Sequence, residues 1–310
     1  MAEKSVKIFP FTAITGQDDL KLALALCAID PQTGGVLARG EKGTGKTTAV
    51  RSLGDMLSGG GRGFPVINLP IGATEDRVLG AIDLEKLINE KRESARAGLL
   101  EQADGGILYI DEVNLLDDYL TDILLDAAAT GEYMLERDGI SRNVKTRFRL
   151  VGTMNLEEGD LRPQLLDRFG LCVDVKAPAS AEARREIAQN RMGFDSNPEK
   201  FSSDFEEKQE KMRERIEKAA ENLESVKVTE EIFEKASALA IESGAEGMRA
   251  DILIVKSARA FAAFEGRDKT AAGDVEKVAP FVLRHRSPAE AAADKTEKKT
   301  PEIPTLKTAT

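Results

Sequence analysis

The stretch Gly40-Glu41-Lys42-Gly43-Thr44-Gly45-Lys46-Thr47-Thr48 constrains this chain more than any other feature. It stands between the apolar run Gly35–Ala38 and an amphipathic stretch, Lys46–Leu57. That context predicts a strand, a phosphate-gripping loop and a helix in succession. Glycines at 40, 43 and 45 let backbone N–H groups close around a β-phosphate, and Lys46 neutralises the β/γ oxygens. Thr47 offers a hydroxyl to Mg²⁺, and the helix N-terminus adds its positive dipole. The competing reading is a glycine-rich turn with a chance lysine, and the flanking strand and helix argue against it. The loop implies a nucleoside triphosphate with Mg²⁺ as the bound cofactor and an α/β fold to hold it.

The second half of such a site is legible further on. "ILYIDE" reads as a buried strand with Asp111 at its carboxyl end, where ligands collect in open α/β sheets. Asp111 is the candidate for the Mg²⁺ shell, and Glu112 for the base that polarises the attacking water. "LVGTMN" ends another strand on Asn155, an amide placed to orient water near the γ-phosphate or else to cap a turn. "LRPQLLDRFG" presents Arg168 on a short helix and turn. It is either an arginine lent to a neighbouring subunit's phosphoryl group or a surface salt bridge. "GMRADI" places Arg249 at the start of a helix, where it could reach back to the nucleotide.

Alternation of short apolar runs with helical stretches predicts a mostly parallel sheet covered by helices. The strands are Gly35–Ala38, Val66–Leu69, Ile107–Ile110, Leu150–Thr153 and Leu171–Val175, with helices over Asp18–Ile29, Lys46–Leu57 and Tyr119–Thr130. An inserted hairpin turns at Asp138-Gly139. After Pro178 the strand pattern stops. Helices are expected over Glu182–Met192, over the charged stretch Lys208–Leu223, and around Glu230–Ser243 and Met248–Phe264. The charge run reads first as a solvated face and second as a partner surface. The expected organisation is a nucleotide-binding domain over 1–178, a helical connector over 179–224, a helical lid over 225–286 and a disordered tail over 287–310.

Composition narrows the function further. The net charge of −10, the absence of Trp and an aromatic content of 5% disfavour a nucleic-acid surface. Cys27 and Cys172 lie in apolar runs and read as buried thiols ahead of a disulfide, which fits a reducing compartment. His285 is the single histidine, so no histidine cluster can ligate a metal. No apolar run reaches the roughly 18 residues of a membrane span. No charged-then-apolar leader opens the sequence, and a cytoplasmic protein is expected, or one of the plastid stroma if the source is a plant or alga.

Phosphate loop, Asp-Glu strand, polar sensor, finger arginine and lid arginine stand in the order of the AAA+ ATPases. Longer stretches resemble the ATPase (I) subunit of magnesium chelatase: "FPFTAITGQDDLKLALALCAIDPQTGGVLARGEKGTGKTTAVRSL", "LPIGATEDRVLGAIDLEKLI", "LYIDEVNLLDDYLTDILLDAAATGEYMLERDGIS", "GDLRPQLLDRFGL", "GMRADILIVKSARAFAAFEG" and "LRHR". The resemblance implies a P-loop core with β-hairpin insertions at Ile82–Leu99 and around Gly131–Arg149. It implies a C-terminal lid carried back by the long helix at Lys208–Leu223. It also implies a ring, commonly a hexamer, whose Arg168 serves the next subunit's ATP. The partners implied are an AAA+/integrin-domain D subunit and a large porphyrin-binding H subunit, with Mg²⁺ inserted into protoporphyrin IX for chlorophyll. A cobalt chelatase or a MoxR-like chaperone that matures metalloenzymes is the alternative. One departure stands out: family members usually carry a longer, cysteine-containing segment where this chain has "SGGGRGFPVIN", a natural shortening or an engineered replacement.

Overall fold

The computed structural model describes residues 7–59, 63–82, 95–137, 140–155, 157, 159 and 161–286. Its centre is a five-stranded sheet of β1 (Val36–Arg39), β2 (Val66–Leu69), β5 (Ile107–Ile110), β8 (Arg149–Met154) and β9 (Leu171–Asp174), in spatial order β2-β5-β8-β1-β9. All the pairings are parallel: Ala38 lies opposite Thr153 and Val173, and Tyr109 opposite Val151 and Asn68. Parallel strands covered on both faces read as near-continuous apolar runs. β1 and β5 are accordingly buried at every residue.

Side chains alternate across the sheet with the period of two that a pleated strand imposes. Val36, Ala38, Ile107, Tyr109, Val151, Leu171 and Val173 face one core, while Leu37, Leu108, Ile110, Leu150 and Cys172 face another. The first core is closed by α1 (Asp18–Ile29) and α2 (Lys46–Ser58). The second is closed by α3 (Glu75–Leu79), α4 (Leu99–Gln102), α5 (Asp118–Thr130) and α6 (Pro163–Arg168). Cys27 and Cys172 are buried thiols on opposite faces, which excludes a disulfide between them. Burial raises the Cys27 thiol to about 11, the signature of an unreactive core group.

Two antiparallel hairpins project from this frame. β6 (Glu132–Arg137) pairs with β7 (Ile140–Lys145), as the sequence pattern predicts. The turn residues Asp138 and Gly139 fall outside the described residues. β3 (Gly80–Ile82) pairs with β4 (Ala95–Ala97), forming the base of the other expected insertion, whose middle also lies outside them.

Beyond β9 the chain is helical: α7 (Ala181–Ser196), α8 (Pro198–Asn222), α9 (Glu230–Glu242), α10 (Arg249–Phe264) and α11 (Ala272–Leu283). The long helix starts at Pro198, ten residues earlier than its charge pattern predicts. Proline at the first helical position and Asn197, whose Oδ1 accepts from the Lys200 N–H at 3.0 Å, fix that start. α11 is a helix the periodicity reading passed over, with Asp274 accepting from the Ala271 N–H and pairing with Arg267 to hold its first turn. Ile216 and Ala219 of α8, with the inner faces of α9, α10 and α11, belong to the same core as α1 and α2. Among the described residues no helix is long and apolar enough to cross a membrane.

Candidate functional site

The phosphate loop leaves β1 at Gly40, whose φ is 153°. A Cβ there would stand 2.1 Å from the Val175 carbonyl oxygen, so only glycine lets the loop pass β9. Gly45 adopts the left-handed conformation (φ 87°) at the N-cap of α2, turning the loop into the helix axis. The Lys46 ammonium donates to the carbonyls of Gly40 (2.6 Å) and Glu41 (2.8 Å), which puts its charge over the loop. Behind the loop, Gln17 Nε2 donates to the Thr44 carbonyl at 3.0 Å, a brace that no motif announces.

Parallel register carries the acidic pair to the same edge. A cavity of about 400 Å³ is lined by Lys42–Thr48, Asp111, Glu112 and Thr153–Asn155. A second space of about 470 Å³ shares Gly43–Gly45 and Thr48 and continues toward Ile14, Pro178 and Ile187. Together they make a polar trough joined to a more apolar recess. That is the arrangement a nucleotide requires, with phosphates at the helix N-terminus and base in the recess.

The polar contacts beside the trough form one chain through Tyr109, Asp111 and Thr153. Tyr109 OH donates to Asp111 Oδ1 and accepts from Thr47 Oγ1, each at 2.9 Å. Thr153 Oγ1 donates to the same carboxylate oxygen at 2.6 Å and accepts from the Glu112 N–H at 3.2 Å. Burial pushes the Tyr109 phenol up to about 12, so it keeps its proton at any physiological pH. A threonine hydroxyl and a carboxylate, both oxygen donors, fit Mg²⁺, which takes few protein ligands and keeps its waters.

Glu112 has φ 58° and ψ 58°, the one positive φ outside glycine among the described residues. A left-handed glutamate costs energy that the surroundings must offset, and such residues gather at functional sites. Its Oε1 lies 3.5 Å from the Lys42 ammonium. Asn155 is 4% exposed and lines the cavity, while its Oδ1 also accepts from the Glu157 N–H at 3.3 Å. Its two readings, sensor and turn cap, are therefore compatible in one side chain.

Arg168 and Arg249 do not line this cavity. Arg168 closes α6, and its guanidinium pairs with Asp126 and, at 3.7 Å, with Asp122, both on α5. Arg249 opens α10, as its sequence context predicts, but reaches the Arg168 carbonyl (3.3 Å) and Asp167 (3.8 Å). The structure thus brings the loop, Asp111, Glu112 and Asn155 together and gathers the two arginines at a separate corner. Tyr109, Thr153 and Gln17 escaped sequence reasoning. Tyr109 lies inside the "ILYIDE" run, where its sequence context marks it only as a strand residue.

A phosphate loop, an Asp-Glu strand and a helical lid on a sheet of this order define an AAA-type ATPase. The family model for the AAA domain (dynein-related subfamily) matches residues 35–169, and that for the AAA lid domain matches 233–305. The chain is 47% identical to the magnesium-chelatase subunit ChlI homolog of Methanocaldococcus jannaschii, over 90% of this chain and 85% of that protein. It is 44% identical to the chloroplastic magnesium-chelatase subunit ChlI-2 of Arabidopsis thaliana, over 92% and 76%. The chain belongs to the ChlI family of magnesium-chelatase subunits and is an ATP-hydrolysing member of it. Among solved structures, a chain from the complex between subunits BchI and BchD of magnesium chelatase aligns with a TM-score of 0.54 at 39% identity, covering 94% of this chain and 99% of that one.

Proposed function

We propose that this chain is the ATPase motor of a magnesium chelatase, coupling hydrolysis to insertion of Mg²⁺ into protoporphyrin IX by a catalytic partner. The observation that carries the proposal is the identity to ChlI subunits across more than nine-tenths of the chain, for example 43% over 92% of it with the Cyanophora paradoxa subunit. In this reading the main-chain N–H groups of Gly43–Thr48 and the Lys46 ammonium hold the phosphates. Thr47 and Asp111 hold the metal that screens them, Glu112 accepts the proton of the attacking water, and Asn155 orients that water. Arg168 is lent to the next copy in a ring, commonly a hexamer, and Arg249 ties its lid to that arginine. The related complex of BchI with BchD supports a D-type subunit as partner. The large porphyrin-binding H subunit would be the third component.

The test is reconstitution: purified chain, D and H subunits, protoporphyrin IX, Mg²⁺ and ATP should yield Mg-protoporphyrin by fluorescence. Absence of product with a partner set shown to be competent would reject the assignment. The donor of the finger is tested separately by mixing Arg168→Ala with Lys46→Ala chains, each inactive alone. Mixed rings contain boundaries with one intact loop and one intact finger, so hydrolysis should return in part.

A further inference from the structure

The turn that carries Arg168 is held almost entirely from outside its own helix. α6 has six residues, too few to stabilise itself, and its last carbonyls have no helical partner. In the structure four consecutive carbonyls there, from Asp167 to Gly170, each accept from side chains of the lid. Arg286 donates to the carbonyls of Asp167 (2.5 Å), Phe169 (2.7 Å) and Gly170 (3.3 Å). Arg249 donates to that of Arg168 at 3.3 Å, and neutral His285 adds a second donor to Phe169 at 2.9 Å. Arg286, in the turn after α11, also reaches the Asp167 carboxylate at 2.9 Å and the Val282 carbonyl of α11 at 2.7 Å. Its side chain is only 3% exposed. A guanidinium fork is the one side chain able to satisfy so many diverging acceptors from a fixed plane.

We propose that Arg286 is a positioning residue for Arg168: it clamps the Asp167–Gly170 backbone to the lid and so sets where the finger points into the neighbouring subunit's site. The proposal rests on the reading of Arg168 as a finger that acts across the boundary. Its consequence is directional. The lid of one copy governs hydrolysis by the next, because the clamp joins α11 to the finger and touches none of the residues that line its own phosphate cavity.

The experiment uses the assembled full chain with ATP and Mg²⁺, in the variants Arg286→Lys and Arg286→Met. ATP affinity and KM should stay within about twofold while kcat falls about 10- to 100-fold, the cost of a misplaced reacting group. Mixed with Lys46→Ala chains, Arg286→Lys should regain hydrolysis, because the Lys46→Ala copy lends it an intact finger. Mixed with Arg168→Ala chains it should stay inactive, since every finger in such rings is absent or displaced. Unimpaired kcat, rescue by Arg168→Ala, or no rescue by Lys46→Ala would each overturn the clamp. So would loss of the cooperative melt in both variants, which would make Arg286 a lid-docking residue alone. The Lys46→Ala with Arg168→Ala mixture is the control: no rescue there defeats the shared-finger reading itself. Rescue there without rescue of Arg286→Lys defeats only the present inference.

Discussion

At the scale of single residues, the site depends on where four oxygens are held relative to one another. Tyr109 links Thr47 to Asp111 through one phenol, and Thr153 closes the set from β8. Tyr109→Phe removes both bonds and leaves the ring in its core position. Stability should fall by about 1–2 kcal/mol, the net worth of two hydrogen bonds of this kind. ATP binding without Mg²⁺ should be unchanged, while the Mg²⁺ concentration for half-maximal hydrolysis rises several-fold; an unaltered Mg²⁺ titration would deny the phenol this role. Glu112 makes a separate prediction. Glu112→Gln keeps the shape and the left-handed backbone but cannot accept a proton. It should bind ATP as tightly as the parent and hydrolyse it about 10²- to 10⁴-fold more slowly, measured as single-turnover phosphate release.

At the scale of elements, positions come from caps and register. α5 carries Asp122 and Asp126, the carboxylates that pair with Arg168, and Asp117 starts it by accepting from the Tyr119 N–H at 2.9 Å and the Leu120 N–H at 3.4 Å. Asp117→Ala should cost about 1 kcal/mol in a urea melt, as loss of such a cap does. A change below a few tenths would show that tertiary burial of Leu120 and Leu124 alone fixes the helix start. The strands and the phosphate loop were legible because buried parallel strands are short apolar runs and the loop glycines have backbone reasons to be where they are. Asp111, Glu112 and Asn155 were legible because each follows such a run. Tyr109 was not, since a tyrosine in an apolar strand looks the same whether its hydroxyl meets solvent or Thr47. The early start of α8 was hidden because Phe201 and Phe205 break the charged pattern. With Phe9 of the N-terminal segment and Phe194 of α7 they form one cluster of edge-on and tilted rings, at centroid separations of 5.0–5.9 Å. The periodicity of α11 was masked because Pro280, a residue that ordinarily ends a helix, lies inside it.

At the scale of the whole molecule, the lid and the nucleotide-binding sheet share one apolar core and one polar seam. The seam is Arg284 on Asp174, Arg39 on the same carboxylate, Arg286 on Asp167, and His285 among them. Burial, together with the neighbouring Arg286 charge, depresses the His285 imidazole from 6.5 to about 3. The folded state therefore binds this proton far less readily than the unfolded chain does. The sign follows: the stability it permits is complete above pH 6.5 and is lost progressively as pH falls toward 3. Between those values each pH unit costs about 1.4 kcal/mol, because the unfolded histidine is protonated and the folded one is not. His285→Gln can keep a donor toward the Phe169 carbonyl without a titrating group. Its stability should drop less than the parent's between pH 7 and pH 5, by about 2 kcal/mol. Equilibrium urea melts of both proteins at the two pH values measure that difference directly. Equal acid sensitivity would mean that the imidazole is reached by solvent or shielded from Arg286, and that carboxylate protonation alone sets the acid limit of the lid seam.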